Sequence, residues 1–260
     1  MSFAQTVMLS AFAGFTIYLG LPIGRLRNVS PVWQALLTTG AAGVILFLIY
    51  DVLAQALAPV TDALDAARSG AASAGPFTID ALALGASVAA GLLSVTWLTS
   101  RLRARARSAA LPRQVALATA VGLGLHNFSE GLAIGQSAAT GATSLALILV
   151  IGFALHNATE GFGIAAPLTS GELPSWGFLA LAGLIGGGPT FLGGVVGYSF
   201  VSPLLSIVFL GLAAGALVFV FNEMVAVSRR LAVPMWASTA LIVGLLAGFG
   251  TDFLLTAAGA

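Results

Sequence analysis

Residues 204–226 read LLSIVFLGLAAGALVFVFNEMVA, 23 residues carrying one charge, Glu223, near the end. As a helix this run is about 34 Å long, enough to cross a hydrocarbon layer of roughly 30 Å. It has no polar face to offer water. As a single strand it would far exceed the usual length. Pro203 precedes it and Arg229-Arg230 follow, so it is bounded like a membrane span. The same kind of run recurs along the chain, over 3–21, 32–57, 79–98, 115–136, 144–168, 176–200 and 235–255. The expected fold is therefore all-α, a polytopic membrane protein with eight transmembrane helices.

Composition agrees. Of 260 residues, 58% are hydrophobic and 7% charged, against about 25% charged in soluble domains. Eight spans of about 20 residues leave roughly 100 for connectors, too few for a separate soluble domain. The longest connectors, 58–78 and the Arg-rich 99–114, lack apolar periodicity and are expected to be loops. Without Cys there are no disulfides, thiolate ligands or thiol nucleophile. The N-terminus lacks the basic flank of a signal peptide, so the first apolar run is expected to stay as a helix.

The basic residues set the expected orientation. All ten are Arg. Arg25 and Arg27 follow the first span, Arg101, Arg103, Arg105, Arg107 and Arg113 the third, and Arg229 and Arg230 the seventh. Only Arg68 lies in a connector of opposite parity, beside Asp62 and Asp65. Connectors after odd-numbered spans are thus expected in the cytoplasm, with both termini outside. The 101–113 run reads as this anchor rather than as a nucleic-acid or anionic-lipid patch, and a net charge of +1 gives no footprint for nucleic acid.

The chain has two His, and each opens the same hexapeptide. The fourth span carries His126-Asn127-Phe128-Ser129-Glu130-Gly131. The fifth carries His156-Asn157-Ala158-Thr159-Glu160-Gly161. By composition, the odds of Asn, Glu and Gly at those offsets from one His are roughly 3 × 10⁻⁵. On a helix His and Glu at i and i+4 share a face, with Asn about 100° round. A short connector makes the two spans antiparallel neighbours. Both motifs then meet near mid-membrane with two imidazoles, two carboxylates and two amide oxygens. Inward-facing carboxylates and His on packed helices are a known way to build a metal site. Ionisable groups at that depth cost a few kcal/mol each. A divalent cation cancels two carboxylates, so the loaded site is close to neutral.

These motifs resemble those of the Zrt/Irt-like (ZIP) family of divalent metal transporters, whose fourth and fifth helices carry His-Asn-x-Pro-Glu-Gly-type sequences. The resemblance implies eight spans in a 3+2+3 arrangement with an inverted repeat, outside termini, and a dimeric scaffold past which spans one, four, five and six carry metal by alternating access. By matching position it implies His126, Asn127, Glu130, His156, Asn157 and Glu160 as metal ligands. Ser129 and Thr159 stand where the family has proline, which would kink the helix; a hydroxyl bends it only mildly by bonding back to a carbonyl. In the sixth span Gly188, before Pro189, replaces an acid of many members, so one principal metal is expected. The loop after span three lacks the His often found there.

Pro189 within Gly186-Gly187-Gly188-Pro189 is the sharpest helix breaker inside a span, and discontinuous helices line many transporter sites. Gly131/Gly135, Gly183/Gly187, Gly193/Gly197, Gly211/Gly215 and Gly244/Gly248 suit close helix packing. Asp51, late in span two near the outer face, and Glu223, late in span seven near the inner face, exchange places under the inverted repeat and are candidates to attract and hand on the cation. Asp62, Asp65, Asp80, Glu172 and Asp252 read as solvated.

The expected function is transport of a divalent transition metal into the cytoplasm. Nitrogen and carboxylate ligands suit Zn²⁺, with Fe²⁺, Mn²⁺, Co²⁺ or Cd²⁺ as alternatives. The lack of Cys disfavours Cu⁺, and Mg²⁺ and Ca²⁺ prefer all-oxygen shells. Glu130 or Glu160 is expected to return protonated, coupling metal to proton movement. The metal is substrate, with no cofactor expected; the bacterial inner membrane is the expected location and a homodimer the expected assembly. The alternatives are an intramembrane metal-dependent hydrolase, although His-Glu-x-x-His is absent, and a metal sensor that binds without transport.

Overall fold

The computed structural model describes residues 1–105, 111–170, 172–200 and 202–257, excepting the side chains of 102–105, 111, 156, 170 and 255. Its helices are α1 (Phe3–Phe15), α2 (Pro31–Arg68), α3 (Gly75–Arg105), α4 (Leu111–Ala139), α5 (Thr143–Ala165), α6 (Trp176–Ser199), α7 (Pro203–Arg229) and α8 (Pro234–Ala257). Among the described residues there is no strand. Tighter 3₁₀ turns continue α1 over Thr16–Leu19 and Leu21–Arg25, and α5 over Ala166–Ser170. Local sequence starts several of these helices. Ser2, Ser30, Ser175 and Ser202 each accept a backbone N–H of the first turn, and Pro31 and Pro203 occupy positions whose N–H would be unpaired anyway.

Two expected loops are corrected. Of 58–78, α2 takes the residues up to Arg68 and α3 those from Gly75. The added part of α2, APVTDALDAAR, is rich in Ala, the best helix former, so it needs no apolar stripe. The helix stops where Gly70 takes a positive φ of 75°, a left-handed step that glycine allows at no steric cost. At 38 residues, α2 is about 57 Å long, well beyond a hydrocarbon layer. The Arg68–Asp65 pair lies on that extension, 4.0 Å apart and largely exposed. Of 99–114, α3 takes residues up to Arg105 and α4 those from Leu111, and 106–110, with Arg107, lie outside the described residues.

Seven of the helical segments are long and apolar enough to cross a membrane among the described residues, and α4 is not one of them. It carries Arg113, Gln114, His126, Asn127, Ser129, Glu130 and Gln136. It can be this polar because it packs against α1, α3, α5, α6 and α7, which screen it from lipid.

Helices α1, α4, α5 and α6 pack on one another, and α2, α3, α7 and α8 form a second set joined to the first chiefly through α4 against α7. Every glycine pair singled out in the sequence lies at a close helix approach. A Cβ on Gly193 would stand 2.1 Å from the Phe128 carbonyl oxygen, one on Gly215 2.1 Å from that of Val88, and one on Gly244 2.0 Å from that of Gly40. Small residues here let backbones meet.

Contacts sort the helix ends. The N-terminal amine donates to Thr143 Oγ1 at 3.3 Å, and the Tyr198 hydroxyl donates to the Met1 carbonyl at 3.2 Å. At the opposite end Arg25 donates to the Pro174 carbonyl and lies 4.7 Å over the Trp176 ring. Arg113 pairs with Glu172 at 3.9 Å, and the Thr39 and Ser228 hydroxyls bond at 2.7 Å. Connectors after odd-numbered spans therefore share one end. All four Trp (Trp33, Trp97, Trp176 and Trp236) lie near that end, each more than half exposed. Amphipathic Trp rings collect at membrane interfaces, so this end carries both an arginine cluster and an aromatic belt.

Candidate metal site

The two hexapeptides meet where α4 and α5 cross. His126 is 3% exposed, Glu130 4%, Glu160 3%, and Asn127 and Asn157 are sealed off at 0%. Such burial of five polar side chains in an apolar bundle needs mutual satisfaction, and it is arranged crosswise. Asn127 Nδ2 of α4 donates to Glu160 Oε2 of α5 at 2.8 Å, while Asn157 Nδ2 of α5 donates to Glu130 Oε2 of α4 at 3.1 Å. His126 Nε2 lies 3.4 Å from Glu130 Oε1 and 3.8 Å from Glu160 Oε1, between the two carboxylates. The Oδ1 atoms of Asn127 and Asn157 have no hydrogen-bond partner among the described residues. Of the six expected ligands, five come together. His156 lies on α5, and its side chain is outside the described residues.

Among the described residues no three His, Asp or Glu side chains stand as a preformed metal cage. In the bonds between the two motifs the amide nitrogens, not the amide oxygens, face the carboxylates. Rotating each amide by half a turn would exchange a donor for an acceptor and turn the cluster toward a cation.

The motif glycines have a separate job. A Cβ on Gly131 would lie 2.1 Å from the Thr190 carbonyl oxygen of α6, and one on Gly161 2.1 Å from that of Ile17, in the 3₁₀ turn after α1. Each glycine thus admits a flanking backbone against the site. Ser129 Oγ bonds back to the Leu125 carbonyl at a long 3.5 Å, the mild substitute for a proline kink.

Helix α6 runs unbroken through Pro189, which favours an ordinary proline within the helix over a discontinuous one. Its glycines act differently. The Gly186 carbonyl accepts a second hydrogen bond of the Asn127 amide at 3.0 Å, tying α6 to the site. Sequence reading missed this contact, for which the Gly186–Gly188 run was the available signal: glycines leave carbonyls open to an approaching side chain. A Cβ on Gly188 would lie 3.3 Å from the Leu184 side chain of the same helix.

Asp51 and Glu223 stand apart from the five. Asp51 is half-buried and accepts from Gln55 Nε2 at 2.8 Å. It is the twenty-first of the 38 residues of α2, which runs on past the expected span to Arg68. Glu223 lines a cavity of about 440 Å³ between α3 and α7 with Thr96, Thr99, Ser100 and Asn222. Its neighbour Met224 is the residue buried toward α5, near Gly163, so Glu223 points away from the motifs.

A family model described as ZIP zinc transporter matches residues 100–256, more than half of the chain and all of both motifs. The chain belongs to the ZIP zinc transporter family. No curated protein matches it. Membership makes this a multi-pass membrane protein of a divalent metal transport family. The matched segment holds the buried His, Asn and Glu cluster of α4 and α5.

Proposed function

We propose that this ZIP protein carries Zn²⁺ into the cytoplasm through the α4–α5 site by alternating access, with His126, Asn127, Glu130, His156, Asn157 and Glu160 as ligands. The observation that supports this most is the crossed Asn–Glu bonding around His126. Two carboxylates, an imidazole and two spare amide oxygens converge where lipid cannot solvate them, and a divalent cation would neutralise the carboxylates. Oxygen and imidazole-nitrogen donors suit Zn²⁺, with Fe²⁺, Mn²⁺ and Cd²⁺ as competitors. Asp51, half-buried on α2, draws the cation toward the site by its negative charge, and Glu223 receives it at the Arg-rich end. With the metal gone, a proton on Glu130 or Glu160 restores near-neutrality and returns with the empty carrier. The Arg-rich end faces the cytoplasm of the inner membrane, and the protein works as a homodimer.

Reconstitution in proteoliposomes tests this reading. Saturable Zn²⁺ uptake, competed by Mn²⁺ and Cd²⁺ but not Mg²⁺ and accompanied by proton movement in the opposite direction, is expected. Zn²⁺ binding without flux would favour a sensor. Metal-dependent cleavage of a membrane substrate would favour a hydrolase.

A further inference from the structure

At the end that carries the arginines and the tryptophans, a cavity of about 500 Å³ opens between α2, α7 and α8. Its size falls within the range of small-ligand pockets. Its wall changes character with depth. The floor is mostly apolar, formed by Val225, Ala237 and Leu241 beside Ser238, with the Thr39 and Ser228 hydroxyls bonded to each other at 2.7 Å. The rim carries Arg229, the last residue of α7, which is exposed and makes no ion pair among the described residues. Arg230 follows it.

The depth of the cavity can be read from the helix. Leu241 lies seven residues below Pro234, the first residue of α8, or about 10 Å along the axis. Trp33 and Trp236 mark the interface at the starts of α2 and α8. The cavity therefore spans from headgroup level, where it is cationic, to acyl-chain level, where it is apolar. A free anion would use only the rim, and an apolar solute only the floor. A molecule with a phosphate at one end and a hydrocarbon chain at the other matches both.

We propose that this cavity binds one anionic phospholipid, its phosphate on Arg229 and part of an acyl chain on Ala237 and Leu241. The site lies on the helix set without the His-Asn-Glu motifs, so it stands or falls independently of the metal reading.

The test uses the full chain in nanodiscs of mixed phosphatidylglycerol and phosphatidylcholine, with retained lipid counted by native mass spectrometry. Wild type is expected to retain one phosphatidylglycerol per protomer with about fivefold preference, the scale of one arginine near an anionic headgroup. Arg229→Gln, at an exposed position that leaves the fold intact, should lose that preference. Arg230→Gln, which does not line the cavity, should keep it. Ala237→Phe should fill the floor and abolish retention of either lipid, with an unchanged thermal midpoint in detergent confirming its fold. Equal retention of both lipids by wild type overturns the proposal, as does preference surviving in Arg229→Gln. Displacement of the lipid by glycerol 3-phosphate would reduce the site to an anion contact at the rim and overturns it too.

Discussion

Asn127 on α4 and Glu160 on α5 are joined by a 2.8 Å hydrogen bond, and the same pair of residue types, with the helices exchanged, joins Asn157 to Glu130 at 3.1 Å. Each motif thereby satisfies the carboxylate of the other. The repeat seen in the sequence becomes a crossed lock in space, with His126 between the two carboxylates.

Asn127 makes one bond more than Asn157, the 3.0 Å bond to the Gly186 carbonyl. Replacing either by Ala removes a proposed ligand and is expected to raise the KM for Zn²⁺ uptake by at least the roughly 10–100-fold lost with a group that only orients a ligand. Asn127→Ala should also destabilise the protein more than Asn157→Ala, by about 1 kcal/mol for the extra buried bond. Thermal unfolding in detergent beside uptake kinetics checks both.

The close approach at Gly161 leaves no room for a methyl group, because the Ile17 carbonyl oxygen would lie 2.1 Å from it. Gly161→Ala is expected to cost about 1–3 kcal/mol through forced backbone displacement. That lowers the thermal midpoint by roughly 5 °C. Gly85→Ala, where nothing lies within 4 Å, is the matched control and should not lower it.

Asp51 and Glu223 should separate kinetically. Asp51 acts on the approaching cation through its negative charge, so Asp51→Asn is expected to raise KM about threefold at low salt, less at high salt, with kcat kept. Glu223, at a cavity away from the motifs, should affect release, so Glu223→Gln lowers kcat with little change in KM. Variants matching wild type in both constants would take these acids out of the pathway.

Much of this was legible in the sequence. The spans follow from apolar runs, because a membrane leaves few alternatives for such residues. The paired hexapeptides placed His126, Asn127, Glu130, Asn157 and Glu160 together, because i, i+4 spacing and an antiparallel neighbour leave little geometric freedom. What was not legible has two physical causes. Apolar periodicity reports burial, not helicity, so the Ala-rich end of α2 passed for a loop. Backbone carbonyls carry no letter, so the Gly186 contact of Asn127 and the fit of Gly161 against Ile17 appear only once the helices are packed. The clustering of all four Trp at one end was in the sequence, and needed the helix bounds to be read.

In the proposed transport cycle the two carboxylates crossed between α4 and α5 carry the metal. This role is tested most directly by Zn²⁺ uptake into proteoliposomes of matched protein content and orientation, comparing wild type with the Glu130→Ala/Glu160→Ala double variant. Saturable uptake by wild type is expected, with loss to the protein-free rate in a double variant that still elutes as a folded, monodisperse species. Uptake by that variant at the wild-type rate and KM would contradict it.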